Sequence, residues 1–529
     1  MKEVDKLLKR LEALNQVGAA LSDERDVTRL LEKILLAAQS ITHADGGTLY
    51  LATPDATRLR FSIVRNSSLG IAFVEPHEQA PYGNFKDLEM FEPDGRCNHQ
   101  MVATYAAHTG KTVNIPDAYT AQGFDFAGTR AFDRATGYRS QSFLTVPMKN
   151  HEGDLIGVLQ LINALDLPTG QVTAFSDADQ RLAESLASQA AVALTNRQLV
   201  VQLEQLFESF VRLINVAIDQ KSPHTGGHCE RVPELTMLLA HAVNATQEGP
   251  LADVHLSDKD FYELSIAALL HDCGKVSTPA HVVDKATKLE TIVDRIHWLD
   301  AKFEAARRQQ EAAVWKAVAE GTEARTAALA RWQAWCVQME EDRALLHRIN
   351  AGAERVADAD LARVQAIAAH YRWINPDGQD EALISANELE NLSIRSGTLT
   401  PAERDIIHHH IVATIKMLEQ LPWPKNLRNV PEYAGGHHER MDGKGYPKGL
   451  KREEMSWQAR MMGIADIFEA LTASDRPYKA PMKLSEALRI MDKFKANGHI
   501  DPDLYDVFVS KQVYKSYALQ FLDASQIDL

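Results

Sequence analysis

The apolar positions of this chain fall into three rhythms. Before about Thr42 they recur at helical spacing. From there to about residue 180 they gather in short runs rich in β-branched and aromatic residues: GGTLYLA, LRFSIV, KTVNI, SFLTVPM and DLIGVLQLINA. Turn-forming residues separate the runs, which predicts short strands. SFLTVPM and DLIGVLQLINA, joined by KNHEG, predict a β-hairpin. Residues 1–180 therefore read as an α+β domain with an antiparallel sheet.

The second rhythm occupies residues 181–220. From Leu182 through Leu186, Gln189, Ala193, Asn196, Val200 and Leu203 to Phe207, Phe210, Ile214 and Ala217, the steps alternate between four and three. That spacing predicts one long helix with a coiled-coil seam. Its polar members, Gln189 and Asn196, cost stability and fix register. A connector helix that joins two copies of the chain is the expectation; a helix packed on its own domain is the alternative.

Residues 221–529 are helical by pattern and rich in histidine. Within them, about 291–394 differ. EAARRQQEAAVWKAVAEGTEARTAALARWQAW is dominated by strong helix formers. It predicts a helical hairpin inserted into the C-terminal domain, with Trp298, Trp315, Trp332 and Trp335 as packing residues.

Composition narrows the picture. At 529 residues the chain is too long for one core, and two or three domains are expected. A net charge of -15 argues against general binding to DNA, whose partners present basic surfaces. Cys97, Cys229, Cys273 and Cys336 are scattered without a CxxC pair, so neither a disulfide framework nor a zinc ribbon is expected. No apolar run reaches the roughly 18 residues of a membrane span. The opening residues have no signal-peptide core. The expected location is the cytoplasm.

The chemistry concentrates in the helical region. In SIAALLHDCGKVSTP an apolar helix ends on His271-Asp272, with Lys275 three residues later. Adjacent imidazole and carboxylate can both ligate a cation, and the two oxygens of Asp272 can bridge a pair of ions. HTGGHCERV sets His224 and His228 four apart, on one face if the stretch is helical. His408, His409 and His410 are successive on a predicted helix, so at most one or two of them can share a site. His437-His438 precede a loop, Asp442-Gly443-Lys444-Gly445-Tyr446-Pro447, and Asp466 sits in an apolar helix. A lone buried His or Asp is more often paired or capping than ligating; the set together favours a metal centre. Cys273 reads as packing.

The strings HDCGK (271–275), HHERMDGKGYP (437–447) and IADIFEALTASDRPYK (464–479) resemble the HD-GYP family of the HD phosphohydrolase superfamily. HTGGHCERV and LTPAER with His410 add to that resemblance. It implies an all-α domain that hydrolyses a cyclic dinucleotide, cyclic di-GMP first, to pGpG, GMP or both. The agent implied is a hydroxide bridging two divalent cations, iron or manganese. The implied ligands are His228, His271, Asp272 and Asp466 for one cation, and Asp272, His410, His437 and His438 for the other. His224 holds a position where some members bind a third metal. The resemblance makes Asp272 and Lys275 catalytic. It makes Lys275, Asp442, Tyr446, Arg476 and Lys479 substrate-binding, with Tyr446 near a base and the Arg476–Lys479 pair on the second phosphate.

Residues 1–180 resemble a GAF domain, through NQVGAALSDERDVTRLLEKILLAAQSITHADGGTLYL and TGYRSQSFLTVPMKNHEGDLIGVLQLINA. FDFAGTRAFDRATGYRSQSFLTVPM is similar to cyclic-nucleotide-binding members, so a cyclic nucleotide is one expected ligand; a ligand-free dimerisation module is another. The whole reads as a GAF-regulated homodimer, joined through the GAF domain and the connector helix. Three alternatives stand beside it: hydrolysis of cyclic GMP-AMP, hydrolysis of a nucleotide phosphomonoester, and a non-catalytic scaffold that binds diguanylate cyclases.

Overall fold

A computed structural model describes residues 26–74, 86–221, 227–352, 355–474 and 481–529, with isolated positions between 10 and 24. The chain divides into two compact units, Met1–Leu206 and Phe207–Leu529. No helix among the described residues is long and apolar enough to cross a membrane.

In the first unit, helix α1 (Val27–Thr42) starts where the Asp26 side chain accepts the Arg29 N–H and ends on His43 in the left-handed region. The sheet comprises β1 (Ala44–Ala52), β2 (Arg58–Asn66), β3 (Ile71–Val74), β4 (Leu88–Glu89), β5 (Val113–Ile115), β6 (Phe143–Lys149), β7 (Leu155–Leu165) and β8 (Val172–Thr173). Its main path runs β3-β2-β1-β7-β6-β5, with β4 on β2 and β8 on β7. Every pairing is antiparallel, including the β6–β7 hairpin. Two short helices, α2 (Val102–Thr109) and α3 (Ala127–Thr136), lie between strands in sequence. The main core joins Leu30, Ile34 and Leu35 of α1 to Leu49, Leu159 and Leu161 of the sheet.

Helix α4 spans Asp177–Lys221. Leu182, Leu186, Ala190 and Leu194 are buried in the core of the first unit. Two residues expected on a seam, Leu182 and Leu186, are thus used inside the domain. In the second unit Phe207 packs edge-on against Trp423 at 6.1 Å.

The second unit is built from α5 (His228–Asn244), α6 (Asp258–Leu270), α12 (Pro401–Leu418), α13 (Val430–Gly435), α14 (Trp457–Thr472), α15 (Leu484–Ala496), α16 (Pro502–Ser510) and α17 (Val513–Phe521). Capping boxes start α6, at Ser257 and Asp260, and α12, at Thr400 and Glu403. These caps satisfy N–H groups that a helix start leaves unpaired. Leu235, Leu239, Leu264, Met461, Phe468 and Phe508 belong to one core.

Between α6 and α12 in sequence lie α7 (Ala280–Val283), α8 (Ile296–Ala319), α9 (Arg325–Asn350), α10 (Asp358–His370), a strand pair β9–β10 (Arg372–Ile374 and Asp380–Ala382) and α11 (Ala386–Leu392). This segment is more than two helices and has its own core around Leu299, Phe303, Leu346 and Tyr371. The tryptophans divide. Trp335 packs on Tyr371 at 5.8 Å. Trp298 and Trp315 are largely exposed, at 58% and 43%, so they are not core residues, and Arg325 lies over the Trp315 ring.

Candidate metal centre

Five segments of the second unit deliver the chemistry. His228 opens α5. His271 caps the C-terminal end of α6, and Asp272 follows it into a 3-10 turn, Cys273–Ser277. His410 faces inward from α12, His437 and His438 follow α13, and Asp466 lies on α14. Two groups of ligand-capable atoms result, His228–His271–Asp466 and Asp272–His410–His437–His438, each with its atoms within 4.8 Å of one another.

Asp272 stands between the groups. Its Oδ2 lies 3.2 Å from His228 Nε2 and 3.3 Å from His271 Nε2. Its Oδ1 lies 3.2 Å from His410 Nε2. Asp466 Oδ1 is 3.3 Å from His228 Nε2. His438 Nε2 is 3.2 Å from His410 Nε2.

The ring orientations have local causes. His271, His410 and His437 have Nδ1 against the carbonyls of Ala268, Ile407 and Ala434, each three residues earlier. With the proton on Nδ1, each Nε2 presents a lone pair to the centre. Asp272 Oδ1 and His437 Nε2 are buried without a hydrogen-bond partner. Such orphans are costly in a core. Converging imidazole and carboxylate lone pairs fit a divalent cation, and an N/O set of this kind suits iron, manganese or zinc.

The electrostatics agree. Burial, helped by the neighbouring His271, pushes His437 down to about 4. Burial and His437 hold His438 well below the ordinary imidazole range. Both rings are neutral at pH 7, the form that ligates. Burial opposes ionisation of Asp272, but Lys275 and His271 outweigh it and keep the carboxyl well below its usual value. Burial likewise opposes protonation of His228, and Glu469 with Asp272 overcomes it, raising His228 well above 6.5, so this ring differs from the others in having to release a proton before it can ligate.

The other expected residues are placed as follows. Lys275 Nζ donates to Asp272 Oδ2. Asp442 is held within its own loop: Arg440 donates to both its oxygens and the Lys444 N–H to one. Tyr446 stacks on His438 at 4.9 Å and on His408 at 4.2 Å. Two histidine rings therefore stack on it. His408 and His409 are exposed, and only His410 of the triplet turns inward. Cys273 is buried, and burial lifts its thiol to about 11, which suits packing. His224, Arg476 and Lys479 lie outside the described residues.

Glu469 was not apparent in the sequence. It lies one turn beyond Asp466 on α14, fully buried, and meets His228 Nδ1 at 2.5 Å and Arg231 Nη2 at 2.6 Å. The signal that could have revealed it is the spacing of three from Asp466, which puts both carboxylates on one helical face. Glu439 is a second such residue. It accepts the N–H groups of Lys448 and Leu450 and so folds the loop after His438.

The first unit holds a cavity of about 530 Å³, lined by Tyr50, Asn66, Phe126, Phe132, Tyr138 and Gln160 among others. Its size is that of a small-molecule site.

Residues 26–194 match the GAF domain family and residues 384–504 match the HD domain family. The latter span includes His410, His437, His438 and Asp466, while His228, His271 and Asp272 precede it. A 3'3'-cGAMP-specific phosphodiesterase 1 of Vibrio cholerae is 44% identical over 88 residues, 16% of this chain and 20% of the relative. A cyclic di-GMP phosphodiesterase of Pseudomonas aeruginosa is 37% identical over 134 residues, 25% of this chain and 31% of the relative. A dual 3',5'-cyclic-AMP and -GMP phosphodiesterase 11A of Takifugu rubripes is 27% identical over 202 residues, 38% of this chain and 20% of the relative. Each alignment takes in under a third of the relative's length. Residues 26–194, which hold the sheet of the first unit, thus carry a GAF domain, and residues 384–504 of the second unit carry an HD domain.

Proposed function

We propose that this chain is a metal-dependent phosphodiesterase that hydrolyses a cyclic dinucleotide, cyclic di-GMP first, to pGpG, GMP or both, under control of its GAF domain. The observation that carries the reading is Asp272, whose two oxygens turn to two different groups of imidazoles. In this reading His228, His271 and Asp466 hold one cation and His410, His437 and His438 the second, with Asp272 between them. Iron or manganese is the proposed metal. Such ions, when bound, supply Lewis acidity and acidify water to near neutrality.

The chain's own residues do the rest. The histidine tautomers are set before any ligand arrives, so little reorganisation is needed. Lys275 brings a positive charge beside Asp272, where it stabilises negative charge developing on phosphoryl oxygens. Tyr446, stacked on His438 and His408, acts as a wall of the pocket that steadies His438. Asp442 shapes the same loop through Arg440. Arg476 and Lys479 are proposed for the second phosphate.

Cyclic GMP-AMP is the second substrate to consider, favoured by the match to the Vibrio cholerae enzyme. In the first unit, a cyclic nucleotide is the first ligand to test in the cavity. Self-association along α4 is part of the proposal. It is supported by exposed Leu199, Leu203 and Leu206 in the first unit, and by exposed Phe210 and Leu213 in the second.

The test is metal analysis of full-length protein purified without air, with turnover of a panel of cyclic dinucleotides followed by chromatography. Two equivalents of metal and release of a linear dinucleotide are expected, and Asp272→Ala should abolish both. Metal-free protein that turns over substrate, or an active Asp272→Ala protein, would refute the reading.

A further inference from the structure

Three imidazoles of the centre are oriented by backbone carbonyls that their own segments provide. His228 has none. It is the first residue of α5, directly after Gly227 at φ 85°. Its Nδ1 meets Glu469 Oε2 instead, at 2.5 Å. The other Glu469 oxygen accepts from Arg231 Nε at 2.8 Å, and Arg231 lies one turn after His228 on α5. Helices α5 and α14 are therefore joined by a chain of imidazole, carboxylate and guanidinium. The carboxylate is fully buried, and Arg231 balances its charge.

We propose that Glu469 is a positioning residue that makes the His228–His271–Asp466 group the tighter of the two metal-binding groups. This rests on the metal-centre reading above. A carboxylate accepts a hydrogen bond more strongly than a peptide carbonyl does. The N–H···O bond fixes the His228 tautomer, aims Nε2 at Asp272 and Asp466, and makes the ring a better electron donor. Among the described residues the other group has nothing equivalent. His410 and His437 lean on carbonyls, and the nearest carboxylate to His438 Nδ1 is Asp466, at 3.9 Å, beyond hydrogen-bond range. Arg231 holds Glu469 in place through its other oxygen.

The probe is Mn(II), titrated into metal-stripped full-length protein and followed by calorimetry and electron paramagnetic resonance, with circular dichroism as the check on folding. The wild type should bind two equivalents in two classes. Glu469→Gln, nearly isosteric, should weaken the tighter class by about 10–100-fold and leave the weaker one unchanged. Arg231→Gln should weaken the same class by less, and it carries the test should Glu469→Gln lose its helical signal. A purely structural role would lower both classes together. Equal loss from both classes, no loss from either, or a wild type with one class of equal affinity would each overturn the inference and leave the metal centre standing. A wild type that binds no Mn(II) removes both.

Discussion

Replacing Gly274 with alanine tests whether the His271-Asp272 turn and α12 are locked at one separation. Gly274 follows Asp272 by two residues, and its N–H donates to Thr414 Oγ1 at 2.9 Å. A Cβ there would lie 2.0 Å from the His410 carbonyl oxygen and 2.6 Å from the Thr414 nitrogen. Ordinary contact begins at 3.4 Å, so something must retreat by about 1.4 Å, and the obstacle is helix backbone, not a flexible side chain. Overpacking of this kind costs about 1–3 kcal/mol. The retreat also carries His410 away from Asp272 Oδ1, now 3.2 Å from its Nε2. A misplacement of about 1 Å in a reacting constellation costs on the order of 100-fold in rate. The assay is thermal unfolding of the full chain with and without Mn(II), scoring the transition that the metal shifts, with turnover measured in parallel. Gly274→Ala should lower that transition, bind less Mn(II) and lose on the order of 100-fold in turnover. Gly128→Ala, at a position with nothing within 4 Å, is the control and should change little. A Gly274→Ala protein with wild-type unfolding, metal content and turnover would show that the close approach does not exist.

His410→Ala should remove one equivalent of metal and nearly all turnover, while His409→Ala, on the exposed face, should stay within about 0.5 kcal/mol of wild-type stability; metal analysis of the two proteins decides, and equal losses would refute the choice of His410. Asp501 is fully buried, accepts the Asp503 and Leu504 N–H groups at the start of α16, and binds Arg452 and Arg460, so Asp501→Asn should cost about 3–5 kcal/mol. Burial alone would raise its pKa, but Arg452 and Arg460 hold it below 3.8. A depressed carboxyl stabilises the fold fully above its unfolded value and loses that contribution as pH falls through the folded one. The gap between wild type and Asp501→Asn should therefore be constant from about pH 5 to 7 and close below about pH 4; denaturant titrations at several pH values check it, and a gap that persists in acid would refute it. Leu203→Cys, on the exposed face of α4, should cross-link into dimers under mild oxidation where Gln198→Cys does not, read on a non-reducing gel; equal cross-linking would count against a specific seam.

The strands of the first domain were legible because each announces itself locally: β-branched runs bounded by turn formers form one strand wherever the sheet lies. The histidines and aspartates of the centre were legible through their motifs. Less legible was α4, whose steps of four and three fit a seam and a core equally well. Leu182 and Leu186 lie in the domain core, while Leu203 and Phe210 on the same predicted seam are exposed. Periodicity states that a helix has an apolar side; it does not state what covers it. The segment before α12 shows another limit. Helix propensity predicted its two long helices but not the β9–β10 pair, which depends on a short turn, nor the exposure of Trp298 and Trp315.

Sequence by itself determined the type and order of the elements and the identity of the groups able to ligate, because both follow from neighbours a few residues apart. Only the tertiary structure decided which atoms meet. It turned the two oxygens of Asp272 toward different imidazoles, stacked Tyr446 on two histidines, and brought Glu469 across from α14 to His228, a separation of 241 residues along the chain. The physical reason is that helices pack through their sides. A residue's partners across a packed face are set by the angle and register of two helices, and no spacing within either one encodes them.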